Sequence, residues 1–177
     1  MKTRIIMLVL IIAVFSTTGY SQEQEKSKKQ IKEEQKIEKQ KQIEGLVNSK
    51  TFVFNATRAL PQSGKSINLT SSYDVKFSPD LIDSHLPYYG TAYSGVGYGG
   101  DTGMKFEGKP EDFTVTKGKK NYSINATVKG SNDTYRLSLT VSFEGTSSLS
   151  ITSNNRSFIS YNGDITAPEK TEKKQQQ

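Results

Sequence analysis

Two glycine-bearing stretches and one aspartate triplet carry the residue types of well-known chemistries. Ala59 to Ser66 reads Ala-Leu-Pro-Gln-Ser-Gly-Lys-Ser, the letters of a phosphate-binding loop. Such a loop aims backbone amides at phosphate from the start of a helix, with Lys on the phosphates and Ser on magnesium. Here Ile67 to Tyr73 follows with strand-like alternation, so a polar hairpin loop is expected instead. Gly95-Val96-Gly97-Tyr98-Gly99-Gly100 has the spaced glycines of a dinucleotide site. That site also needs a following helix, whereas Met104 to Phe106 looks extended, and a plain loop is the reading retained. Asp101-Thr102-Gly103 has the letters of the aspartic protease triplet, whose two aspartates share a proton. This chain would have to dimerise to supply both. The triplet also follows glycines rather than an apolar strand, so it reads as a turn.

Other reactive groups are sparse. His85 is the only histidine and there is no cysteine, which leaves a structural zinc site without its usual ligands. No serine is flanked like a nucleophile elbow. His85 is expected at the end of a short helical turn capped by Ser78, with Pro79 in its first position. Asp80, Asp83 and Asp101 match no calcium-loop spacing. Neither a cofactor nor a metal is expected, and the chain reads as a non-enzyme. What stands out is tyrosine. Tyr88, Tyr89, Tyr93 and Tyr98 share the stretch from Ser78 to Gly103, and their flat apolar faces with a hydroxyl suit sugar rings or apolar ligands. These four are the candidate ligand-binding residues.

The elements that must position them begin after residue 21. Lys2 and Arg4 precede an apolar run from Ile5 to Phe15, followed by small polar residues to Ser21. The run is too short to span a bilayer, and the layout is that of a cleaved signal peptide over 1–21. Cleavage after Ser21 or after Gly19 leaves a mature chain with no integral membrane span, periplasmic or secreted. The formal charge of +6 is spread along the chain, with only +1 in residues 51–167. A nucleic-acid partner needs a concentrated basic face, so none is expected.

Residues 22–50 are dominated by Lys, Glu and Gln, good helix formers. Ile31, Ile37 and Ile43 recur every six positions, which is no coiled-coil repeat. A solvated helical linker is expected, with only Ile43, Leu46 and Val47 spaced to dock on the body. Residues 168–177 read as a disordered tail. The body, 51–167, is β with period two. Tyr135, Leu137, Leu139, Val141 and Phe143 form the clearest inward set, preceded by Tyr122, Ile124, Ala126 and Val128. Punctuation at Gly118, Gly130 and Gly145 falls where hairpins need it. The expectation is an all-β fold with a continuous antiparallel meander from 104 to 163, closed into a small barrel, with a β-sandwich as the alternative. The long stretch from Ser78 to Gly103 is expected to be a loop without strand.

Three segments carry a resemblance: Leu86-Pro87-Tyr88-Tyr89-Gly90-Thr91-Ala92-Tyr93, Gly103-Met104-Lys105-Phe106, and Ser153-Asn154-Asn155-Arg156-Ser157-Phe158-Ile159-Ser160-Tyr161-Asn162-Gly163. Together they resemble an uncharacterised family of exported Bacteroidota-type proteins defined only as a domain of unknown function. The resemblance covers about 51–165 and leaves the Lys/Glu/Gln segment outside. It implies a calycin-like, lipocalin-type barrel and a periplasmic or secreted location, and it implies no activity. The functional expectation is a non-catalytic binding module whose mouth, under the 78–103 loop, holds a small apolar or sugar-like ligand. The alternatives are an envelope structural or protein-interaction domain with a solid core, and a hydrolase using His85 or Asp101.

Overall fold

The computed structural model describes residues 27–93, 103–130 and 133–169. The signal segment 1–21, the first residues of the charged segment, the Gly95–Gly100 stretch with Tyr98, Asp101, and the tail from 170 onward lie outside the described residues. The chain divides into two compact units, 1–34 and 35–177. Of the first, Ser27–Glu34 is described and begins helix α1 (Lys28–Ser49). Its start is a capping box: Ser27 Oγ accepts from the Lys29 amide, and Gln30 Oε1 accepts from the Ser27 amide.

The second unit carries β1 (Phe52–Pro61), β2 (Ile67–Asn68), β3 (Asp74–Phe77), β4 (Ile82–Leu86), β5 (Met104–Gly108), β6 (Pro110–Lys117), β7 (Asn121–Lys129), β8 (Thr134–Ser142), β9 (Thr146–Ser153) and β10 (Ile159–Thr166). They form one antiparallel sheet in the order β5-β4-β3-β1-β10-β9-β8-β7-β6, with β2 added to β1. The two ends of that path, β5 and β6, are separated in sequence by Lys109 alone. Because every pairing is antiparallel, β5 and β6 run the same way and act as one bent strand. Its first half pairs with β4 and its second with β7. The sheet therefore nearly closes into a barrel with the neighbour order of an up-and-down wall. The stacked rings of Phe106 on β5 and Tyr135 on β8, 3.9 Å apart, reach across the seam.

The inward set follows the period-two pattern closely. Tyr122, Ile124, Ala126 and Val128 are buried on β7, and Tyr135, Leu137, Leu139 and Val141 on β8. Val75, Leu139, Leu149, Ile151, Ile159 and Tyr161 are each 0% exposed. A void large enough for water would leave accessible area on the side chains around it, so none borders these six. Among the described residues, the part of the interior that these six line is a packed core rather than a lumen.

Two expectations are corrected. The stretch after Ser78 contains strand β4, and Ser78 closes a tight turn instead of capping a helix: its hydroxyl accepts from the Leu81 amide at 2.9 Å while its own amide donates to the Leu81 carbonyl. His85 consequently stands on β4, facing outward. The strand escaped notice because its central inward residue is Ser84, whose hydroxyl is satisfied by the Met104 carbonyl at 2.8 Å. Second, the meander from 104 is interrupted, since β5 pairs back to β4 and not to β6. The expected docking of the helix end is present: Ile43 and Val47 join the core cluster, with Leu46 packed against it.

Helix α1 is followed by Lys50, a non-glycine residue with φ of 55° in the left-handed position common after a helix. That turn points its ammonium at the Phe113 carbonyl, 2.6 Å away, and over the Phe113 ring. Glu44 accepts from Lys117, and this hydrogen bond lowers the Glu44 pKa and raises that of Lys117. Both contacts land on β6, so the end of the helix covers a sheet edge that would otherwise be open to strand pairing. From 35 to 42 the helix is exposed apart from half-buried Gln40, and Lys36 makes a surface pair with Glu144. Exposed pairs contribute little. Deleting residues 22–42 is therefore expected to shift the thermal midpoint by only a few degrees, as read by circular dichroism against the full mature chain.

Candidate functional site

Strand directions sort the connections into two ends. The helix, the β3–β4 turn and the β8–β9 turn lie at the end where β1 starts. The connections after Pro61, Leu86, Lys129 and Ser153 lie at the other, upper end. There the segments 87–93 and 153–158 clasp one another. Ala92 and Arg156 form an isolated antiparallel bridge, with the Tyr93 amide donating to Asn155 O at 2.8 Å and the Ser157 amide to Thr91 O at 3.0 Å.

Tyr88 is the pin of this clasp. Its ring is buried, and its hydroxyl lies 2.8 Å from both the Thr91 carbonyl and Ser157 Oγ. Ser157 Oγ also accepts from the Thr91 amide. Gly90 fits because a Cβ there would stand 2.5 Å from the Tyr88 hydroxyl and 2.7 Å from Ser157 Oγ. Arg156 covers the Tyr88 ring, its guanidinium carbon 5.3 Å from the centroid, and donates to the Gly103 carbonyl. Below, the Tyr161 hydroxyl donates to the Pro87 carbonyl at 2.6 Å. Burial, with smaller help from Tyr88, pushes the Tyr161 hydroxyl far above its usual pKa, so it stays a donor. Asp133 braces the side: Ser153 Oγ donates to it, as does the Asn154 amide at 3.0 Å.

The tyrosines predicted as a set therefore separate. Tyr88 holds the backbone, and Tyr89 and Tyr93 are 39% and 69% exposed. Tyr98 lies outside the described residues. Phe158, 41% exposed, joins the two exposed tyrosines from the opposing segment. Among the described residues the large exposed hydrophobic side chains that are aromatic are these three, and all sit on the clasp. Phe158 and Arg156 carry no role of their own in the sequence reading. The only signal was that their segment belongs to the resemblance. All three segments that carry it meet here.

The remaining candidates are placed elsewhere. The loop after Pro61 turns directly into β2, which pairs Ile67 with Ala59, so a strand stands where a phosphate loop needs a helix. Asp83 faces Lys76 on the outer wall at 3.8 Å. His85 lines a shallow groove of about 330 Å3 with Asp83, Ser84 and Glu107. Ser84, however, sends its hydroxyl inward to Met104 while His85 points outward, so the two form no nucleophile–base pair. His85 packs edge-on against Tyr73. No helix among the described residues is long and apolar enough to cross a membrane.

Fold and clasp together define a small, solid-cored antiparallel barrel with an aromatic upper rim. A family model described as "Domain of unknown function (DUF4251)" matches residues 34–165, and the chain belongs to that family. The match starts within α1, so the second half of the charged segment falls inside the family's extent, not outside it. The chain is also similar to a solved structure, a DUF4251 family protein from Bacteroides eggerthii DSM 20697, with 17% identity and a TM-score of 0.59 over 73% of this chain and 87% of that one. That likeness concerns the fold. No curated protein matches the sequence.

Proposed function

We propose that this is an exported, non-catalytic binding module that recognises a sugar-like ligand on its upper rim rather than inside the barrel. The observation that carries the reading is the contrast between the two places a small barrel can bind. The interior residues are sealed, while Tyr89, Tyr93 and Phe158 are exposed on backbone that is hydrogen-bonded in place. An apolar ligand of lipocalin type would need a lumen. A sugar ring needs a firmly held aromatic face with polar groups around it, and the Ser/Thr/Asn-rich clasp supplies them. Export rests on the layout of residues 1–21.

The test is native mass spectrometry of protein from its own host, followed by titration with cellotetraose and maltotetraose. Replacing Tyr89 and Tyr93 together with alanine is expected to weaken sugar binding about tenfold to a hundredfold, the worth of two aromatic contacts, with the β circular-dichroism signal preserved. Lys65→Ala is expected to change nothing. A protein that retains no sugar but co-purifies with one protein partner through these tyrosines would favour the second reading, a solid-cored envelope interaction domain, which the filled interior fits equally well.

A further inference from the structure

We infer that Arg156 is the positioning residue of the rim, tying both stems of the segment that links β4 to β5 to the β9–β10 connection. This rests on the rim reading for its functional consequence but on geometry for its mechanism. The stem leaving β4 passes through Tyr88 and the stem entering β5 through Gly103. Arg156 meets both, laying its guanidinium over the Tyr88 ring and donating Nη1–H to the Gly103 carbonyl. Its own backbone, in the bridge with Ala92, holds the residues between Tyr89 and Tyr93. One side chain thus spans three pieces of chain that the barrel ladder leaves without continuous strand pairing.

The chemistry is particular to arginine. A planar, delocalised cation can stack on a ring and still point N–H groups outward in its own plane. A lysine ammonium is a compact point charge without that plane, so at position 156 it does not lay a flat face on the Tyr88 ring while holding the Gly103 carbonyl in a fixed direction. Tyr88 and Ser157 then fix the turn through Gly90, so the orientation of the Tyr89 and Tyr93 faces follows from the clasp. Arg156 lies outside the buried core cluster, so its loss loosens the rim without opening the barrel.

The experiment compares Arg156→Lys and Arg156→Gln with the native protein in three measurements: chymotryptic cleavage after Tyr89 or Tyr93, thermal midpoint, and cellotetraose affinity. In both variants cleavage is expected to rise at least about tenfold, with the midpoint moving only a few degrees. Affinity is expected to fall alongside. Native-like protection in Arg156→Lys would overturn the inference, because charge alone would then suffice. A midpoint lower by tens of degrees in Arg156→Gln would also overturn it, by making the residue a core support. If the native protein binds no sugar, the rim reading fails, and the cleavage comparison still decides the role of Arg156.

Discussion

Gly163→Ala is expected to destabilise the fold by about 3 kcal/mol or more, the upper part of the range for forced overpacking. Gly163 sits on β10, opposite Ala56 of β1 and Ser147 of β9, at the pairing that joins the first strand to the last. The β1–β10 register shifts between Ala56 and Arg58, and this bulge drives the β1 backbone toward β10. A Cβ on Gly163 would sit inside the Asn55 carbonyl and 3.2 Å from Ala56 Cα. The obstruction is backbone on a strand paired on both sides, so it cannot swing away as a side chain would. Glycine in a strand interior commonly marks such an approach. Urea denaturation measures the effect, and Gly45→Ala is the matched control. Gly45 lies in α1, and a Cβ there would meet nothing within 4 Å, so alanine should stabilise by about 0.5–1 kcal/mol through helix propensity. Equal losses at both sites would show that the β1–β10 contact is looser than described.

Leu139→Ala is expected to cost about 2–5 kcal/mol, the range for removing a large aliphatic side chain from a closed core. Leu139 is 0% exposed on β8, between Ile124 of β7 and Leu149 of β9 in register. All three point inward and are fully buried or nearly so, which leaves little freedom to collapse into the cavity. Lys119→Ala, in the exposed turn between β6 and β7, should be close to neutral. The pair of variants reads the register directly, because a slip by one residue would exchange inner and outer faces along the whole strand. Similar effects from the two would place Leu139 on the wrong face.

Much of the wall was legible because alternation is a local property. In β7 and β8 each apolar residue is separated from the next by one polar residue, and the pleat alone then sends them to opposite faces. The same rule failed on β4, where Ser84 takes an inward position, since its partner, the Met104 carbonyl, is 20 residues away. It failed again at Gly108–Pro110, where one extended stretch serves two neighbours. Nothing local distinguishes a bent strand from a hairpin at Gly108-Lys109-Pro110, since glycine and proline serve either.

The candidate site divides along the same line. Composition identified the tyrosine-rich segment, since a residue's chemistry travels with it: a ring face and a hydroxyl are present wherever Tyr88, Tyr89 or Tyr93 lands. Which ring is a pin and which is a face depends on burial against Ser157 and Arg156, some 70 positions further on. The sequence alone determined the β class, the inward set of β7 and β8, and the anchoring role open to Ile43, Leu46 and Val47, because strand and helix periods are written residue by residue. The tertiary structure decided that the barrel is filled, that the helix end covers β6, and that three separated segments meet in one clasp. Those outcomes depend on long-range pairing, whose partners are chosen by the packing of the whole sheet and not by the neighbours of any one residue.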